Sequence, residues 1–98
     1  RVSDEGLEHL RDLTNVRDLE LYNTQVSDAG LEHLRGLTNL TILHLGNTNV
    51  SDAGIEHLRR FSRLEKLWLE NTRVTRTGIG QLGKALPYCH LIWTPPAN

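Results

Sequence analysis

The sequence predicts an α/β solenoid, a right-handed coil of repeats with a parallel sheet on its concave side and helices on its convex side. Three observations carry this. First, the chain repeats itself every 24 residues: Val2-Ser3-Asp4-Glu5-Gly6-Leu7-Glu8-His9-Leu10-Arg11 returns as Val26-Ser27-Asp28-Ala29-Gly30-Leu31-Glu32-His33-Leu34-Arg35 and again as Val50-Ser51-Asp52-Ala53-Gly54-Ile55-Glu56-His57-Leu58-Arg59, with an altered copy from Val74 to Gly83. A fixed period of roughly 20 to 50 residues marks a repeat architecture. Second, leucines alternate in pairs, Leu19 with Leu21, Leu43 with Leu45 and Leu67 with Leu69, which puts each pair on one face of a strand. Third, Leu31, Leu34 and Leu37 lie three apart and give a helix one apolar stripe. A lone repeat cannot bury these faces, so each coil must stack on the next.

The elements follow in order. A helix is expected over Asp4–Arg11 and a strand over Val16–Tyr22. Helix Asp28–Arg35 is opened by Ser27 or Asp28, since a small polar side chain caps free N–H groups and an acid suits the positive helix end. Strand Leu40–Gly46, helix Asp52–Arg60 (opened by Ser51 or Asp52), strand Leu64–Glu70, helix Arg76–Leu86 and strand Leu91–Trp93 complete the series, all strands parallel. The repeats are therefore 1–25, 26–49, 50–73 and 74–98, in one domain. Gly6, Gly30, Gly54 and Gly78 recur in the first helical turn, where glycine costs about 1 kcal/mol relative to alanine. Their recurrence implies that a side chain there would strike the neighbouring coil. Thr24, Thr48 and Thr72 should form a ladder whose hydroxyls bond backbone groups where the chain leaves each strand. Asn23, Asn47 and Asn71 precede them and suit a turn.

The ends differ from the middle. The chain begins inside a repeat at Arg1 and contains no Met, which reads as a piece of a longer protein. The last repeat reads as a C-terminal cap: bulky residues fill Ala85–Trp93, Trp93 stands in the place of Leu45 and Leu69, and Pro95-Pro96 bars a further strand.

Val16-x-x-Leu19-x-Leu21-x-x-Thr24-x-Val26, with its counterparts at Leu40–Val50 and Leu64–Val74, resembles the leucine-rich repeat pattern LxxLxLxxN/CxL, with Thr in place of Asn or Cys. The Ser-Asp-Ala-Gly-Leu-x-x-Leu segment is similar to the helical half of the cysteine-containing, ribonuclease-inhibitor-like branch, whose bacterial members often carry Thr at the ladder position. The resemblance covers nearly the whole chain. It implies a leucine-rich-repeat solenoid that binds a protein or peptide partner on its concave sheet and is not an enzyme.

Composition bounds the partners. Net charge is -1 and charged residues are 23% of the chain, which disfavours nucleic acid and anionic membranes. The charge is uneven: residues 1–49 hold four Arg against eight acids, and residues 50–98 hold seven basic residues against four acids. There is no apolar run of membrane-spanning length. A single Cys excludes an internal disulfide framework and favours a reducing, cytoplasmic setting.

No residues call for a cofactor or metal. His9, His33 and His57 recur beside Glu8, Glu32 and Glu56, but on the polar helix face, and zinc needs three or four ligands at about 2 Å. Cys89-His90 sits in the closing segment, where Cys89 packs rather than reacts. The acid-rich first half lacks the spacing of a calcium loop.

The outward strand positions are where variation lies. One column reads Glu20, His44, Trp68, Ile92; a second Asp18, Ile42, Lys66, His90; a third Tyr22, Gly46, Glu70, Thr94. Strands about 4.8 Å apart bring these residues together. Tyr22, Ile42, His44, Trp68 and Ile92 form an apolar, aromatic patch, with Lys66 and Glu70 as charged neighbours. Nothing in the interior requires them, and Trp and Tyr are enriched at binding hot spots. These seven residues are the expected partner site. The alternative is a structural role in which copies associate through the N-terminal end, where Leu7, Leu10 and Leu13 belong to a coil without a preceding neighbour.

Overall fold

The computed structural model describes Gly6 and residues 15–94. Four short strands, β1 (Asp18–Glu20), β2 (Ile42–His44), β3 (Lys66–Trp68) and β4 (His90–Ile92), form one sheet in chain order, each parallel to the next. The register reproduces the repeat, with Leu19 paired to Leu43, Leu43 to Leu67 and Leu67 to Leu91. Between the strands run α1 (Asp28–Leu31) with a 3-10 turn at Glu32–Leu34, a 3-10 turn at Asp52–Gly54 with α2 (Ile55–Leu58), and α3 (Arg76–Ala85). The helix expected over Asp4–Arg11 and the N-terminal face of Leu7, Leu10 and Leu13 lie outside the described residues.

Two expectations change in detail. The helices expected at Asp28–Arg35 and Asp52–Arg60 each divide into a single α turn and a 3-10 turn. Coils spaced by a strand separation of about 4.8 Å leave little room for α-helices, which pack at about 8–10 Å, and the slimmer 3-10 turn relieves the mismatch. β1, β2 and β3 are shorter than the leucine alternation suggests and β4 begins one residue before the expected Leu91–Trp93, while Asn23, Asn47 and Asn71 turn the chain beyond β1, β2 and β3 with φ of 60°, 56° and 55°. Backbone pairing nevertheless continues to those turns: Asn23 N donates to Gly46 O and Asn47 N to Glu70 O, both at 2.9 Å.

The core lies between sheet and helices. Leu21, Leu43, Leu45, Leu67 and Leu69 meet Leu31, Leu34, Leu58 and Leu82, and Leu37 and Phe61 fill equivalent places one repeat apart. Polar side chains close each coil and join it to the next. Thr24, Thr48 and Thr72 donate their hydroxyls to Leu21 O, Leu45 O and Leu69 O at 2.7–2.8 Å, closing each turn as expected. The asparagines form a ladder between coils, with Asn47 Nδ2 donating to Asn23 Oδ1 at 2.6 Å and Asn71 Nδ2 to Asn47 Oδ1 at 2.7 Å.

A second joint accompanies the expected capping, which holds at Ser51, whose hydroxyl accepts from Ala53 N at 3.4 Å, and fails at Ser27. The side chain of Ser27 makes no cap bond to its own helix, and Asp28 reaches forward instead, accepting from the N–H of Ser51 at 2.8 Å and from its hydroxyl. Asp52 grips Thr75 N, at 2.8 Å, and Thr75 Oγ1 in the same way. Each carboxylate rests over the glycine of the next coil: a Cβ at Gly54 would strike Asp28 and come within 2.9 Å of Leu31 Cδ1, and one at Gly78 would lie 2.8 Å from Asp52 Cγ. This is the physical reason for glycine at positions 54 and 78, whereas a Cβ at Gly6 would meet nothing within 4 Å among the described residues.

Candidate functional site

The face of the sheet turned away from the leucine core carries the outward columns. The register places Glu20 beside His44, His44 beside Trp68 and Trp68 beside Ile92. Three rings form a continuous line across three strands. The Tyr22 and His44 centroids are 4.9 Å apart with planes tilted by 42°, and those of His44 and Trp68 are 5.0 Å apart, tilted by 34°. Offset and tilted rings at such distances attract through their quadrupoles. Tyr22 is 54% exposed, while His44 and Trp68 are half-buried, so the line presents ring surface to solvent without joining the core.

Gly46 makes this line possible. Register sets Tyr22 opposite Gly46 and not opposite His44, and the missing side chain opens a gap in the third column. Glu70 fills the gap from the other side, its carboxylate lying where a Cβ would be; that Cβ would also come within 3.0 Å of His44 Nε2. His44 Nε2 and Glu70 Oε1 thus face each other at 3.5 Å, both shielded from water and neither with a hydrogen-bond partner. Lys66 Nζ lies 5.8 Å from the centre of the Trp68 ring, a cation held near an aromatic face. Tyr22, His44, Lys66, Trp68 and Glu70 are therefore brought together by direct contacts. Ile42 and Ile92 flank them as half-buried neighbours in register, Ile42 beside Lys66 and Ile92 beside Trp68. The sequence columns hold Gly46 without marking it as the residue that shapes the site. A glycine inside a strand pattern is the signal for such a close approach.

The other chemical possibilities do not assemble. His33 and His57 are half-buried among Glu32–Arg35 and Glu56–Arg59 pairs, at 3.9 Å and 2.9 Å, on the helical side. Among the described residues, no three His, Cys, Asp or Glu side chains are grouped to hold a metal ion. Cys89 packs half-buried against the core, and burial pushes its thiol above the usual range, which holds it protonated and weakly nucleophilic. A shallow groove between α2 and α3, lined by Asp52, Ile55, Glu56, Arg59, Gln81, Lys84 and Ala85, mixes both charge signs. No described helix is long and apolar enough to cross a membrane.

Residues 14–60 match the family described as Leucine Rich repeats (2 copies). A leucine-rich-repeat family is thus present over that segment, and the alternating strand and helix units with their all-parallel sheet have the arrangement of a leucine-rich-repeat solenoid. Such repeats serve generally as non-catalytic scaffolds for protein interaction. No curated protein matches the chain.

Proposed function

We propose that this chain is a protein-interaction module that takes a protein or peptide partner on the outer, concave face of its sheet. The observation that carries the reading is the unbroken line Tyr22–His44–Trp68 on a face with no interior role. Rings held by their neighbours bring contact area at little entropic cost on binding, and a Trp in a desolvated contact commonly contributes about 2 kcal/mol or more on truncation. Trp68 is the centre of the proposed site, with Tyr22, His44, Ile42 and Ile92 around it and Lys66 and Glu70 setting orientation. The test is to recover a partner from the native host and titrate it against Trp68→Ala and, as a control on the helical side, His33→Ala. Trp68→Ala should weaken binding roughly thirtyfold or more, with the urea midpoint little changed. Loss in the His33 variant with retention in the Trp68 variant overturns the assignment, and unfolding of Trp68→Ala makes the Trp a packing residue instead.

Two finer readings go with it. The threonine turns support placing the repeats in the cysteine-containing, ribonuclease-inhibitor-like branch in its Thr-ladder form. The fourth repeat, 74–98, reads as the C-terminal cap of a single repeat domain. In support, Arg76 stands where Asp28 and Asp52 grip the following coil, and its guanidinium lies 5.7 Å from the Trp93 ring centre. Trp93 Nε1 in turn donates to Val74 O at 2.9 Å.

A further inference from the structure

Resting on that reading of the outer face, we infer the chemistry of its occupant. It is an extended protein segment that crosses the strands. It places a basic side chain over β1 and, about three residues away, an acidic side chain opposite Lys66, with an apolar side chain between them on His44 and Trp68.

The inference starts from where charge is left unmatched. Asp18 and Glu20 are both exposed on β1, and among the described residues neither is in an ion pair or a side-chain hydrogen bond. Alternate positions of a strand share a face, so the two residues, about 6.6 Å apart along the backbone, project their carboxylates to the same side. Glu70 does not extend this acidic zone, because its carboxylate is turned into the gap over Gly46 against His44. Two strands on, the sign reverses: Lys66 is exposed and neighbours exposed His90 in register. The row Asp18, Ile42, Lys66 therefore runs from negative, through apolar, to positive.

The spacing follows from chain geometry. β1 and β3 are separated by two strand intervals, about 10 Å. An extended chain advances about 3.3–3.6 Å per residue, so about three residues cover that distance. A segment with the complementary order matches both ends at once, while one of opposite order sets like charges against each other. Such layouts choose partner and register more than they add affinity. The unmatched carboxylates on β1 repel a phosphate backbone, so the layout favours a polypeptide over a nucleic acid.

The experiment is selection of a random 12-residue peptide library on the whole chain, followed by titration of the synthesised hits. The expected hits carry a basic and an acidic residue about three apart with an apolar or aromatic residue between. Each hit is titrated against the parent chain, Trp68→Ala, the double variant Asp18→Asn/Glu20→Gln, and Lys66→Gln. The double variant should lose roughly tenfold in affinity at low salt, and that difference should shrink once the screening length falls to about 8 Å near physiological salt. Lys66→Gln should lose several-fold and relax the demand for the acidic residue. Hits that respond to Trp68→Ala but are indifferent to the charge variants overturn the partner chemistry and leave the concave site standing. Hits indifferent to Trp68→Ala, or a library that yields no binder, overturn both.

Discussion

Removing the Asp52 carboxylate should loosen the joint between the third and fourth coils and, with it, reverse the effect of a second substitution. Asp52 accepts two hydrogen bonds from Thr75, one from the backbone at 2.8 Å and one from the hydroxyl. Bonds to a charged group contribute about 1.5–3 kcal/mol when shielded, but this joint is exposed and water competes for both donors. Asp52→Ala is therefore expected to cost about 2 kcal/mol in all. Gly78→Ala alone sets two effects against each other. Alanine gains up to about 1 kcal/mol in helix propensity, yet its Cβ displaces the carboxylate and breaks the joint. The net result should be a loss of about 1 kcal/mol. With Asp52 already Ala, Val74 Cγ1 at 3.3 Å is the tightest contact that remains, one that small shifts relieve. In that background Gly78→Ala should stabilise by up to about 1 kcal/mol, a coupling of about 2 kcal/mol between the sites. Urea unfolding of the four proteins, with unchanged slopes as the check on two-state behaviour, measures it. Additivity within about 0.5 kcal/mol, or a stabilised Gly78→Ala single variant, refutes the account of the glycine at position 78.

Three other outcomes are expected. Gly46→Ala should push Glu70 and His44 out of place and weaken peptide binding on the concave face roughly tenfold, with binding recovered when Glu70→Ala reopens the gap; isothermal titration reads both. Asn47→Ala should be less stable than Asn47→Gly by about 1 kcal/mol in urea unfolding, because both lose the amide ladder but only alanine is strained at φ 56°. Cys89, its thiol raised by burial, should alkylate more slowly in the folded than in the unfolded chain at one pH; since the fold favours the protonated form, its contribution is present at neutral pH and is lost as pH rises through the ordinary thiol range and above.

The period and the leucine alternation made most of the fold legible. A 24-residue spacing names the neighbours in advance, and Asp18, Ile42, Lys66 and His90 pair in that order. What the spacing leaves open is direction within a coil. Asp28, beside Ser27 at a helix start, has the composition of a local cap, and nothing in one repeat says that its carboxylate bonds the next coil instead. The mark that separates the two readings is in the fourth repeat. Thr75 and Gly78, which receive the joint, are kept there, while the residue that would extend it to another coil is Arg76. The candidate site is similar: columns predicted which residues share a face, but the contact of Tyr22 with His44 runs diagonally across Gly46 and appears only once side chains are placed.

The division between recurring and varying positions also says where stability and recognition can be changed separately. Leucines, Asn and Asp recur because each meets its own counterpart, or the matching coil, one repeat away, and Thr recurs because it closes the turn of its own coil. Repeat arrays draw their stability from such nearest-neighbour contacts. Glu20, His44, Trp68 and Ile92 occupy one column with four different chemistries, which a stacking requirement would not tolerate. Substitutions there should alter binding at small cost to the fold, and substitutions at Asp52 or Thr48 should do the reverse. Gly46 is where the two sets meet. It is buried in the sheet, yet its missing side chain admits Glu70 and lets Tyr22 reach His44. At this position a single methyl group acts on the recognition surface through the backbone that supports it.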